Sequence, residues 1–254
     1  MIKQSFTYWS FGNRGLTNDE LLKTSAEIGY SAIELLDEEH FPLAKKYGLA
    51  LSAHRGHDSI PKGLNRHEHH DRIVKELEAN IKTAEAWKIP NLICFSGNRE
   101  GLSDDEGAEI TAEGLRKAVP LAEVSGMTLV LELLNSKVDH SDYQCDHTPW
   151  GVKVVEMVAS PNVKLLYDIY HMQIMEGDLI HTIQNYHQHF GHYHTAGNPG
   201  RHELNDAQEI YYPPIFKAIR DTGYTGYITH ELVPTGDVKA ALKEAFDMCV
   251  KSLS

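Results

Sequence analysis

At 254 residues, the chain is long for an average domain but ordinary for one closed α/β barrel, and its 41% hydrophobic content supplies a real core. A formal net charge of −12 argues against generic nucleic-acid binding, which needs Lys and Arg to neutralise phosphates. There is no apolar run near the ~20 residues that span a bilayer and no signal-peptide pattern at Met1–Phe6, and Cys94, Cys145 and Cys249 lack metal-type spacing, so a reduced, cytoplasmic protein is expected.

In chain order, short apolar runs alternate with stretches of helical period. The expected strands are Gln4–Trp9, Ala32–Leu35, Ala50–His54, Leu92–Phe95, Thr128–Leu133, Val163–Asp168, His189–His194 and Gly226–Glu231. The expected helices are Asn18–Ile28, Glu39–Tyr47, Glu68–Trp87, Asp104–Ser125, Pro149–Ala159, Ile180–His187, Pro214–Thr222 and Asp237–Lys251. Local signals agree with these boundaries. Thr17-Asn18-Asp19-Glu20 reads as a capped helix start, and Gly29, Gly48 and Gly223 close helices in the left-handed conformation that glycine takes without a Cβ penalty. Strands separated by helices give parallel βαβ units, and this number of units in this length predicts a single (β/α)₈ TIM barrel over residues 1–254. The longest irregular segments, Asn135–His147 and Thr195–Tyr212, follow strand ends, where barrels build their active sites.

Four successive strands close on chemistry-bearing side chains. Glu132 lies in the apolar run Thr128–Leu133, and Asp168, His194 and Glu231 each end a strand. A carboxylate within an apolar strand is costly to bury unless it is paired or bound to a cation. One such acid is more often a helix cap, but four at equivalent positions of a barrel face one mouth. Two Glu, one Asp and one His suit Mg²⁺, Mn²⁺ or a similar divalent metal. Three further residues are candidate substrate contacts. His171, three positions after Asp168, is placed to donate to a substrate oxygen. Arg201, in so acidic a chain, is a natural fork for a carboxylate or phosphate. His54 ends the third strand and is expected to line the pocket. Trp9 ends the first strand and is also a candidate to line the pocket, although core packing explains it equally well. His192 reads as a buried core histidine.

At Leu131–Asn135, Tyr167–Gln173, His192–Glu203 and Gly223–Glu231 the sequence resembles the xylose-isomerase-like barrel superfamily of sugar isomerases and epimerases, and within it the hydroxypyruvate isomerase family. The resemblance implies a catalytic pair, Glu132 and Glu231, with Asp168 and His194 completing a metal shell to which the glutamates also belong. It implies an isomerase that converts a small hydroxy-oxo acid, hydroxypyruvate, to tartronate semialdehyde through a metal-stabilised enediolate. Hydroxypyruvate isomerases commonly carry glutamine where this chain has His194, as sugar epimerases do. Epimerases usually carry a second glutamate six positions after the first, where this chain has Val138. A metal-dependent ketose 3-epimerase is therefore the alternative, and an endonuclease-like or non-catalytic binding barrel stands further off. The expected partner is a small-molecule substrate, with neither nucleic acid nor membrane, and such barrels often pair as homo-oligomers.

Overall fold

The computed structural model describes residues 2–253. Up to Ser52 the chain forms β1 (Lys3–Phe6), α1 (Tyr8–Phe11), α2 (Asn18–Ile28), β2 (Ala32–Ile33), α3 (Phe41–Lys46) and β3 (Ala50–Leu51). From Ala53 to Gly177 it forms β4 (Ala53–Arg55), α4 (His67–Trp87), β5 (Asn91–Cys94), α5 (Asp104–Ser125), β6 (Thr128–Glu132), α6 (Thr148–Val158), β7 (Val163–Asp168) and α7 (Ile169–Met175). The remainder holds α8 (Leu179–Tyr186), β8 (Phe190–Thr195), α9 (Tyr212–Asp221), β9 (Tyr227–His230) and α10 (Val238–Leu253). These elements gather into two compact units. The first takes the residues up to Ser52, Asp178–His187 and Tyr193 onward; the second takes Ala53–Gly177 and Gln188–His192.

The first unit is a parallel array in the order β8–β9–β1–β2–β3. Tyr193 of β8 stands opposite Ile228, and Lys3 of β1 opposite Tyr227. Thr7 bridges to Glu34 just past β2, and Ala32 pairs with Ala50 of β3. Parallel neighbours need crossovers, and here helices supply them. α2 begins with the predicted cap, a full capping box in which Thr17 and Glu20 each bond the other's backbone N–H. It ends on Gly29 at φ +118°, a backbone angle that favours glycine.

The second unit is a parallel array in the order β4–β5–β6–β7. Leu129, Val130 and Leu131 of β6 are wholly buried, as expected for a parallel strand covered on both faces. Each such side chain contributes about 1.5–3 kcal/mol. α5 is capped by Ser103, which accepts from Glu106 N, and carries Asp104, Asp105 and Glu106 at its positive end.

Two expectations are corrected. The first strand stops at Phe6 rather than Trp9, because Tyr8 N turns to the Glu34 carbonyl (2.8 Å) and the chain coils into α1. The strand expected over Ala50–His54 breaks at Ser52, with Ala50–Leu51 aligned on β2 and Ala53–Arg55 on β5. Asp168 also caps an element that no sequence signal had marked. Its side chain accepts from His171 N at 3.1 Å and starts the short helix α7, too brief to show a period in the sequence.

Candidate active site

In the first unit, strand alternation sorts the side chains. Thr229 and Glu231 project to one face of the β9 strand and its end, and His230 to the other. His230 is completely buried, its ring nitrogens bonded to Gln4 Oε1 and Thr195 Oγ1, and burial pushes its pKa down to about 3, so it stays neutral. Glu231 has a different environment. One carboxylate oxygen accepts from Trp9 Nε1 at 2.7 Å, and the other accepts from His194 Nδ1 at 2.9 Å and from Arg201 Nη2. Burial works to raise its pKa, but Arg201 and His194 outweigh this and hold the carboxyl well below the ordinary range. Glu231 is therefore ionised and only accepts, so His194 Nδ1 carries the proton of their bond. The Arg201 guanidinium also lies 5.2 Å from the centre of the Trp9 ring.

The opposite nitrogen of His194, Nε2, meets Glu34 Oε1 at 2.7 Å. Glu34 is completely buried, and its second oxygen accepts from Thr229 Oγ1 at 2.8 Å and Ser52 Oγ at 3.1 Å. His194 is thus clamped at both ring nitrogens by carboxylates, which fixes its plane and its distance from Glu231.

In the second unit, Glu132 closes β6 and Asp168 closes β7, both nearly fully buried, with carboxylate oxygens within 4.8 Å of each other. His171, on the first turn of α7, has Nε2 3.7 Å from Asp168 Oδ2. Its tautomer follows from Asn135. Asn135 Oδ1 accepts from Val138 N (3.0 Å) and Asp139 N (2.9 Å), which fixes the amide orientation. Asn135 Nδ2 then faces His171 Nδ1 at 2.6 Å. An amide nitrogen only donates, so Nδ1 accepts and the ring proton sits on Nε2. Asp139 accepts from Asn135 Nδ2 (2.7 Å) and Tyr170 OH (2.9 Å), completing the frame.

Of the residues expected from sequence, His194, Glu231 and Arg201 come together in the first unit, and Glu132, Asp168 and His171 in the second. His54 is buried in β4, in register with Leu92. His192 is buried as expected, its Nδ1 3.5 Å from Asn91 Nδ2. Arg201 is turned onto Glu231 instead of standing open for a ligand. Two contributors went unread in the sequence. Glu34 gave the same signal as Glu132, an acid inside an apolar run (Ala32-Ile33-Glu34-Leu35). Asn135 gave none, since an amide in a loop carries no distinctive pattern, and for Trp9, open between pocket and core, the sequence did not show its bond to Glu231.

Comparison with known proteins identifies the family of this fold. A family profile described as xylose isomerase-like TIM barrel matches residues 22–251. The chain belongs to the xylose isomerase-like TIM barrel family. Among curated relatives of this barrel, a hydroxypyruvate isomerase of Escherichia coli K12 is 31% identical over 168 residues, covering 66% of this chain and 64% of the relative. A putative hydroxypyruvate isomerase of Homo sapiens is 29% identical over 171 residues, covering 65% and 62%. The matched regions thus span less than two thirds of these relatives' length. A crystal structure described as an AP endonuclease, family 2, from Brucella melitensis superposes with a TM-score of 0.84 at 25% identity, covering 95% of this barrel and 97% of that chain. The α/β barrel expected from the alternating strands and helices is thus the fold of the chain. No helix among the described residues is long and apolar enough to cross a membrane.

Proposed function

We propose that this barrel is an intramolecular isomerase acting on a small hydroxy-oxo acid, with hydroxypyruvate to tartronate semialdehyde as the reference reaction. The observation that carries the reading is Glu231, a buried carboxylate kept ionised at a strand end by Arg201, His194 and Trp9. An ionised carboxylate shielded from bulk water is the group needed to remove a proton from carbon beside a carbonyl. The similarity to the hydroxypyruvate isomerase of E. coli supports the substrate class.

In this reading Glu132 and Glu231 exchange the proton between adjacent carbons, and His171 donates its Nε2–H to a substrate oxygen. Arg201 steadies Glu231 through Nε and Nη2, and its guanidinium has donors enough to meet a substrate carboxylate as well. Barrel topology turns successive strand ends toward one face, and we assign Glu132, Asp168, His194 and Glu231 there as ligands of a divalent ion, Mg²⁺ or Mn²⁺. The donor set fits. Carboxylates buried as close as Glu132 and Asp168 repel unless a cation lies near, and oxygen with one imidazole nitrogen suits these ions. When bound, the ion supplies positive charge to substrate oxygens that become negative as the proton leaves. We take residues 1–254 as one functional domain working in the cytoplasm.

A ketose 3-epimerase is the second reading, favoured by His194 at a position where hydroxypyruvate isomerases commonly carry glutamine. An activity on nucleic acid, suggested by the description of the Brucella structure, is opposed by the net charge of −12. The test is incubation in D₂O with hydroxypyruvate or with free ketoses, with and without Mn²⁺. Deuterium should enter the carbon beside the carbonyl of hydroxypyruvate, and Glu132→Gln or Glu231→Gln should reduce exchange by about 10²–10⁴-fold with the circular dichroism spectrum retained. Exchange confined to C3 of a ketose transfers the assignment to the epimerase; full activity in both glutamine variants refutes the acid–base pair.

A further inference from the structure

Away from every residue assigned above, α4 and α5 carry a second group of ligand-type side chains. His67 and His70 lie three positions apart on α4, so they share one face, and Glu113 faces them from α5. One ligand atom from each lies within 4.8 Å of the others. His67 Nδ1 stands 3.7 Å from Glu113 Oε2, and the two imidazole rings meet edge to face at 5.4 Å.

His70 is set up as a ligand in two ways. Its Nε2 lies 2.8 Å from the Leu64 carbonyl, which can only accept, so Nε2 carries the proton and Nδ1 presents its lone pair. A histidine whose far N–H is held by a carbonyl is the usual arrangement behind a metal-binding imidazole. The ring fits because residue 114 is glycine; a Cβ there would come 2.7 Å from Nε2. Burial, the larger influence, and the nearby Lys117 ammonium lower the His70 pKa, in keeping with a neutral ring. The Lys117 ammonium lies 3.3 Å from His70 Nδ1 and 3.7 Å from Glu113 Oε1. A positive charge already rests among the donors, on a half-exposed side chain free to swing into solvent.

We propose that His67, His70 and Glu113 form a divalent transition-metal site that ties α4 to α5, and that Lys117 occupies it when no ion is present. Two imidazoles and one carboxylate are the donor set of Zn²⁺, Ni²⁺ or Co²⁺ rather than Mg²⁺, with a remaining position for water. Bonds of about 2.1 Å in a tetrahedral shell put donor atoms about 3.4 Å apart, so the 3.7 Å spacing of His67 and Glu113 closes with a small side-chain adjustment.

The experiment is calorimetric titration of the full chain with Zn²⁺, repeated with Co²⁺ and read by its visible spectrum. Wild type should bind one more equivalent than the H67A/E113Q variant, whose altered side chains are exposed and leave the buried His70 in place. K117M should bind this equivalent at least about tenfold more tightly, because no ammonium competes for the donors. D168N should leave this equivalent untouched, which separates it from the ion of the proposed active site. Equal stoichiometry and affinity in wild type and H67A/E113Q would overturn the proposal. So would a K117M variant that binds no tighter than wild type.

Discussion

Replacing Glu34 with leucine probes the buried clamp on His194. The substitution removes the acceptor of three groups: His194 Nε2 at 2.7 Å, Thr229 Oγ1 at 2.8 Å and Ser52 Oγ at 3.1 Å. Ser52 keeps the Ser5 hydroxyl at 2.7 Å and can reorient, so the main loss falls on His194 and Thr229. A hydrogen bond to a charged group is worth about 1.5–3 kcal/mol, and a buried donor left without an acceptor costs about 1–3 kcal/mol. Burial of the leucine side chain offsets part of this, leaving a net destabilisation of about 3 kcal/mol, in line with breaking one side of a buried pair. Urea denaturation followed by circular dichroism should show the midpoint lowered by about 1 M, taking a slope of about 3 kcal/mol/M. Glu34→Gln keeps the shape and one carbonyl acceptor, and should lose roughly half as much. A Glu34→Leu midpoint equal to wild type would refute the claim that this carboxylate holds His194.

Two further outcomes follow from buried titratable groups. His57 is sealed beside Phe95, and burial lowers its pKa from 6.5 to about 4, so the folded chain keeps it neutral while the unfolded chain takes up a proton. Stability from this source is complete above pH 6.5 and falls as pH drops toward 4, by up to about 3 kcal/mol. His57→Asn should flatten that part of a urea-midpoint curve against pH, and an unchanged slope would exclude His57 as a contributor. Arg201→Met removes the cation that holds the Glu231 carboxyl low, so its pKa should rise and the acidic limb of the deuterium-exchange rate should move to higher pH. A limb that stays in place would show that Glu231 is not the titrating base.

Much of the barrel was readable because its rules are local. The β6 and β7 strands are continuous apolar runs, α2 carries its capping box, and Glu132, Asp168, His194 and Glu231 stand out as polar groups at apolar strand ends. What escaped was set by long-range partners. The strand over Ala50–His54 divides because its two halves align on different neighbours, a choice that no local propensity encodes. Trp9 leaves the first strand for a helical turn and reaches Glu231, 222 positions away. Glu34 was open to the same reasoning as Glu132, since it lies inside the expected strand Ala32–Leu35, but its partners His194, Thr229 and Ser52 are brought to it only by the fold.

The lock on His171 sets how the proton map of the molecule responds to its surroundings. The imidazole tautomer is dictated by Asn135, an amide that neither gains nor loses charge. A carboxylate in that place would impose the opposite tautomer, and would release its hold when protonated. The choice of nitrogen that carries the His171 proton thus rests on an uncharged partner, while the ionised state of Glu231 rests on the charge of Arg201. The chain sets its donor by the geometry of an amide and its base by electrostatics.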